Sequence, residues 1–328
     1  MRQPRIKVPS DTGPGIYHCL SRTAGGTWLL DDPAKEVFRR QMWAAADYCG
    51  VTVLTYSVLS NHFHILALVP QKTLIADSEL LRRFEARHPC PGLRQSRRLK
   101  HIQVMLARNG PEAEAWRQQQ LALMGDISQY MKRLKQGFSI WYNRSHGRFG
   151  TLWAERFKSE LVEISRRSAA TVAAYIDLNC VRAGLVLDPK DYRFCGYAEA
   201  VARNCRAQQG LATVLGIADW AEAQATYRQQ LFGTAAAPRE QAASITPQQL
   251  QKIIIAGGHL SLAEVMRCRI RYLSDGVVLG GRTFVQQQLA GHRARTGRGR
   301  IIDPWPLPSF TDWGDLAIRH RLRGSAFG

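Results

Sequence analysis

Residues 51–69, VTVLTYSVLSNHFHILALV, constrain the fold more tightly than any other stretch of the chain. Two runs of β-branched and apolar residues, 51–59 and 62–69, are separated only by Ser60 and Asn61. So short a connection allows antiparallel pairing alone, because parallel strands need a crossover of about a dozen residues or more. A hairpin within an antiparallel sheet follows. Side chains alternate along a strand, so His62 and His64 share one sheet face while Phe63 and Ile65 share the other.

The neighbouring segments supply partners for that hairpin. GIYHCLSR (15–22) reads as a strand, and DPAKEVFRRQMWAAADYCG (32–50) as a helix. Asp32 suits its cap, Pro33 its first turn and Gly50 its stop, with Val37, Met42, Ala45 and Tyr48 on an apolar face. From about 112 a single long amphipathic helix is expected, with Trp116, Leu123, Ile127, Tyr130, Met131, Leu134, Phe138 and Trp141 at three- and four-residue steps. Lys132, Arg133 and Lys135 fall largely on its other side, as a solvated face would. A glycine-flanked loop, a strand over 157–164 and a helix over 165–184 come next, with serines near the helix start and Gly184 as its stop. The order β-α-β-β-α-β followed by a helix is a split βαβ arrangement, placing the fold in the α+β class.

Other regions read less regularly. Residues 71–111 form a basic, proline-broken excursion from the core. Residues 1–205 are expected to make one catalytic domain and 206–244 a helical and linker segment. Residues 245–328 are expected to be a mainly helical extension, with a candidate helix-turn-helix at 246–270 and a flexible basic arm around GHRARTGRGRIIDPWP.

Charge narrows the partners. The chain holds 45 Lys and Arg against 26 Asp and Glu, a formal charge of +19, which points to nucleic acid or an anionic membrane surface. No apolar run reaches the roughly 18–20 residues of a spanning helix, and the basic leader has no apolar stretch of the kind a secretory signal carries. The seven cysteines are scattered without a CxxC, which fits a reducing cytoplasm, and a nucleic-acid partner for the basic charge would add association with the nucleoid.

Chemistry enters with the histidine pair. Two imidazoles on one face can bind a divalent ion, yet they are too few for a closed structural zinc site. An open, exchangeable Mg2+ or Mn2+ site fits better, with substrate oxygens completing it. The plainer alternative is one hydrogen-bonded core histidine and one exposed one. On the later helix Tyr175 and Asn179 lie four apart, hence on one face. Asn179 offers a carbonyl oxygen as a third ligand. Tyr175 offers a phenol able to attack a phosphodiester and conserve its bond energy in a phosphotyrosine. On spacing alone, Tyr175 suits a core position equally well.

Four collinear blocks, GIYHCLSR, LSNHFHILALV, WYNRSHGRFGTLWAERFKSELVE and AAYIDLNCVRAGLVLDPKDYRFCGYAEA, resemble the REP-associated tyrosine transposases, single-tyrosine members of the HUH superfamily related to small insertion-sequence transposases. The resemblance spans about residues 4 to 203. It implies a ferredoxin-like, or RRM-like, antiparallel sheet with helices on one face. It further implies an enzyme that nicks single-stranded DNA beside hairpin-forming palindromic repeats, leaving a 5′-phosphotyrosine and a free 3′-hydroxyl. By the same resemblance His62 and His64 are the HUH pair, Tyr175 the nucleophile and Asn179 the third metal ligand. Two positions depart from the family pattern: Ser60 and Cys180 stand where proline is usual. Relatives act as homodimers that exchange the tyrosine helix or as monomers, and both remain open.

For DNA contact, Arg144, Arg148 and Trp153 mix guanidiniums with rings, and Arg156 and Lys158 follow at the start of the next strand. The alternative for this stretch is a glycine-rich turn pinned by buried aromatics. Arg97 and Arg98, with Arg82, Arg83, Arg94 and Lys100, offer a second phosphate surface. Tyr130 sits in the apolar series and reads as core. Two rival functions stay open: a domesticated binder of repeats that no longer transposes, and a metal phosphodiesterase using water as nucleophile.

Overall fold

The computed structural model describes residues 5–9, 11–86, 92–233, 260–268, 270, 273–274, 276–297, 304–307 and 311–320. Four strands form the expected unit: β1 (Gly15–Arg22), β2 (Thr52–Val58), β3 (His62–Val69) and β4 (Lys158–Val162). They lie in the order β2-β3-β1-β4, every pair antiparallel. That is the split βαβ order: β3 and β1 sit in the centre, where each finds partners on both sides.

Helix α1 (Asp32–Cys49) starts one residue earlier than the capping expectation. Asp31 is the cap, accepting from the Ala34 N–H at 2.9 Å, while Asp32 lies in the first turn and pairs with Lys35. Gly50 ends the helix in the left-handed region, as expected. The single helix expected from 112 is in fact two. After α2 (Asp77–Ala86) and α3 (Leu93–Arg108), which account for the basic excursion, come α4 (Pro111–Leu121) and α5 (Ile127–Ser145). The break falls at Gly125, at positive φ, and at Asp126, which accepts from the N–H groups of Ser128 and Gln129. A continuous apolar period cannot reveal such a break, since the series resumes in phase beyond it.

Asp126 also pairs with Lys7 at 2.5 Å. Burial raises its carboxyl, but Lys7 and the two capping N–H groups outweigh this and hold it below the usual 3.8. A lowered folded-state value gives stability that is present above pH 3.8 and lost as pH falls through the folded value. Asp126→Ala is therefore expected to cost about 1–2 kcal/mol at pH 7. The gap from the parent chain should shrink toward pH 3, as measured by urea unfolding at both pH values.

The helices cover both faces of the sheet, not one. On the Phe63 face, α1 and α5 pack as the two crossover helices of a ferredoxin-like unit do. Phe38 meets Phe63 at 4.6 Å and Phe138 at 5.2 Å between ring centroids. The opposite, histidine face is covered by α6 (Arg166–Asp177) and α9 (Cys205–Leu215). Gly210 lets α9 lie directly on β2, because a Cβ there would come 2.6 Å from the Leu54 carbonyl oxygen. An apolar face on both sides of β3 demanded this: Leu66 and Ile65 point opposite ways and both are fully buried.

The C-terminal extension contributes strands as well as helices. After α7 (Asn179–Arg182), α8 (Gly196–Val201), α10 (Trp220–Phe232) and α11 (Leu262–Met266), strand β5 (Gly276–Gly281) pairs parallel to β4. β7 (Leu316–His320) and β6 (Trp305–Pro306) follow on its far side, giving a mixed seven-stranded sheet. The sheet thus runs straight across the boundary expected near 205, because the exposed edge of β4 is satisfied by the extension. Part of the expected flexible arm is ordered too, as the end of α12 (Arg282–Thr296). Residues 234–259, which hold most of the expected linker and helix-turn-helix, lie outside the described residues.

Candidate functional site

His62 and His64 leave β3 on the same face, with ring centroids 5.3 Å apart. Opposite them, α6 ends at Asp177 and α7 begins at Asn179, so the expected single helix carries a break at Leu178. Asp177 fixes that end of α6. Its buried carboxylate accepts from Thr55 Oγ1 on β2 at 2.8 Å, from Tyr227 Oη on α10 at 2.6 Å and from the Tyr197 N–H at 3.1 Å. Burial pushes this carboxyl up to about 7, against the pull of those donors. The anchor lies two residues beyond Tyr175 and sets where its ring can reach.

Tyr175 reaches the histidines within the same chain. Its ring centroid lies 6.2 Å from that of His64 and 6.5 Å from that of His18. The side chain is only 4% exposed, yet its hydroxyl makes no hydrogen bond to any described residue. Asn179 Nδ2 lies 3.0 Å from His62 Nε2, bringing the two expected ligands to one point. The other ring nitrogen, His62 Nδ1, meets Asn61 Oδ1 at 2.6 Å. Four residues chosen from sequence therefore converge: His62, His64, Tyr175 and Asn179 line one cleft of 620 Å³.

Two imidazoles and an amide oxygen are donor types that a divalent ion accepts. Burial first, then the charges of His18, His62, Arg182 and Arg22, hold His64 well below the usual histidine range. Its ring is neutral near pH 7, as a ligand must be. Turning the Asn179 amide over would aim its oxygen, in place of its nitrogen, at the locus of His62 Nε2. Among the described residues no cluster of three or more His, Cys, Asp or Glu side chains could hold a metal ion. An ion here would thus depend on His62, His64 and Asn179, with substrate oxygens for its remaining positions.

Arg156 and Lys158, both expected on the DNA side, line the same cleft and are exposed. The other DNA candidates are not gathered there. Arg144 is exposed at the end of α5, and Arg148 is half-buried with its guanidinium 5.9 Å from the centre of the Tyr142 ring. Arg97 and Arg98 are exposed on α3. Trp153 must be withdrawn as a stacking platform. It is 7% exposed, its ring packs 5.4 Å from Phe63 on the opposite sheet face, and its indole N–H donates to the Lys135 carbonyl. Tyr130 is fully buried, as expected of a core tyrosine.

Three site residues escaped the sequence reading. Arg182 lies with its guanidinium carbon 3.9 Å from the centre of the Tyr175 ring, and donates to the Tyr175 carbonyl at 2.6 Å and the Met266 carbonyl at 2.8 Å. His18 and Glu160 lie buried beneath His64. An imidazole inside the apolar strand GIYHCLSR is the same anomaly that marks His62 and His64, and could have signalled the first of these. A second cavity, of 360 Å³, lies at the other end of β1 beside Tyr17 and holds none of the expected residues.

No family model matches the chain, and no curated protein does. Among solved structures, it is similar to a REP-associated tyrosine transposase bound to a REP hairpin, at 15% identity over 62% of this chain and 87% of that one. The TM-score of 0.39 lies below the range in which such a likeness carries weight. The described helices include none long and apolar enough to cross a membrane.

Proposed function

We propose that the chain is a metal-dependent enzyme that nicks and rejoins single-stranded DNA through Tyr175, acting beside hairpin-forming repeats in the manner of the REP-associated tyrosine transposases. One observation carries the reading: a tyrosine, two histidines and an asparagine from separate parts of the chain share one cleft with exposed cations at its wall. A formal charge of +19 and the four-block sequence resemblance support it.

In this reading Arg156 and Lys158 hold the strand by its phosphates. Arg182, stacked on the Tyr175 ring, keeps the phenol in place and sets a positive charge beside it. Tyr175 Oη attacks the scissile phosphorus, forming a 5′-phosphotyrosine as the bond to the 3′-oxygen breaks. The proton lost by the phenol is balanced by the one gained on the released 3′-hydroxyl. A divalent ion held by His62, His64 and Asn179 would polarise the phosphate. The near-complete burial of Tyr175 limits water, so the adduct can persist until a 3′-hydroxyl reverses the step.

The test is a labelled single strand carrying a stem-loop from the DNA flanking the coding sequence, incubated with protein and Mg2+ or Mn2+. A band of protein plus DNA on a denaturing gel is expected, lost with a chelator. Cleavage without any such band would instead favour the water-using phosphodiesterase. Binding without cleavage would favour a repeat-binding protein that has lost its chemistry.

A further inference from the structure

Beneath the cleft runs a buried polar column that the steps above leave unused. His18 on β1 is 1% exposed and Glu160 on β4 is 3% exposed. His18 Nε2 lies 2.8 Å from His64 Nδ1, and His18 Nδ1 lies 3.7 Å from Glu160 Oε2. The register explains the line: on adjacent strands Leu20 stands opposite His64, and His18 opposite Glu160, all on the histidine face. Burying two imidazoles and a carboxylate is costly without compensation, and the intervening positions Leu20 and Leu66 show that the face accepts apolar side chains. The extension is shaped to the column as well. A Cβ at Gly276 on β5 would fall 1.6 Å from Glu160 Oε1, so the glycine leaves the carboxylate its space.

We infer that His18 and Glu160 are positioning residues for the ion site, holding His64 in the tautomer whose Nε2 is free to bind a divalent cation. At 3.7 Å Glu160 makes no hydrogen bond to His18 Nδ1, but a carboxylate charge on that side favours the His18 tautomer with its proton on Nδ1. His18 Nε2 then accepts from the His64 Nδ1–H, and a neutral imidazole with its proton on Nδ1 keeps its lone pair on Nε2. The opposite arrangement would protonate His64 Nε2 and close it to a metal. A hydrogen-bond partner on the far ring nitrogen of a metal-binding histidine, here His18 on His64 Nδ1, orients the ligand and raises its basicity. The inference rests on His64 being an ion ligand.

Mn2+ binding to the full chain, measured by calorimetry beside thermal unfolding, tests it, together with nitrogen NMR of the His64 ring in the metal-free protein. The parent chain should bind Mn2+ and His64→Ala should not. His18→Leu should weaken binding by about 10–100-fold, while His18→Gln, whose amide oxygen can accept from His64 Nδ1–H, should recover most of it. Glu160→Gln should weaken binding less than His18→Leu does. Parent-level affinity in a folded His18→Leu protein, or a proton on His64 Nε2 in the parent chain, overturns the inference while leaving the ion site intact. If His18→Leu does not fold, the His64 tautomer and Glu160→Gln decide in its place. A parent chain that binds no Mn2+, or a His64→Ala protein that binds it unchanged, overturns the ion-site reading and this inference with it.

Discussion

A Tyr175→Phe protein is expected to bind a hairpin-bearing single strand as the parent chain does, to form no covalent adduct, and to nick about 10³-fold more slowly or worse. The substitution removes one oxygen from a side chain that is 4% exposed. That oxygen makes no hydrogen bond to the described residues, so no partner is left unsatisfied. The phenyl ring can keep its place against His64 and under the Arg182 guanidinium. Stability should accordingly change by less than about 1 kcal/mol. A denaturing gel for the adduct and a filter-binding titration for affinity, run on the same preparation, separate chemistry from fold. Undiminished adduct formation would transfer the nucleophile elsewhere. Undiminished cleavage without an adduct would make water the nucleophile and leave Tyr175 a core residue.

The second large effect is expected at His62. Replacing it with alanine removes one imidazole from the proposed ion site and frees the Asn179 amide that meets it at 3.0 Å. Because His62 is half-buried at the mouth of the cleft, its loss leaves no sealed cavity and should spare the fold. His64→Ala is the less clean experiment, since His64 is 6% exposed and bonded to His18. Adduct formation by His62→Ala should fall by about 10²–10⁴-fold at fixed Mg2+, a loss of about 3–5 kcal/mol in barrier lowering. Raising Mn2+ should restore part of it, because a weakened site is refilled by mass action, and binding of the hairpin strand should stay within about threefold of the parent chain. Full activity of this variant in a metal-depleted buffer would reject an ion at His62.

The two substituted proline positions illustrate how far a motif constrains geometry. Cys180 permits a helix where proline would interrupt one, yet the chain still breaks at Leu178. The break is supported both by the motif's own Arg182, which donates to the Tyr175 carbonyl, and from other elements, since Asp177 is held by Thr55, Tyr197 and Tyr227. Ser60 likewise keeps the turn, its carbonyl accepting from the Leu30 N–H at 2.8 Å. In both places tertiary contacts supply the conformation that a proline would have imposed locally.

Local patterns alone determined a good deal here. The hairpin at 51–69, the split βαβ order, the sharing of one face by His62 and His64, and the helical segments that carry Tyr175 and Asn179 are consequences of period-two and period-3.6 alternation, which acts between near neighbours. Only the tertiary structure decided what lies across space. It buried Trp153 on the far face, brought β5 from beyond residue 275 to the edge of β4, and set His18 and Glu160 under His64. The physical reason is that a strand's alternation says which residues point together, while the partner they point at is chosen by packing between segments far apart in the chain, 46 residues for His18 and His64.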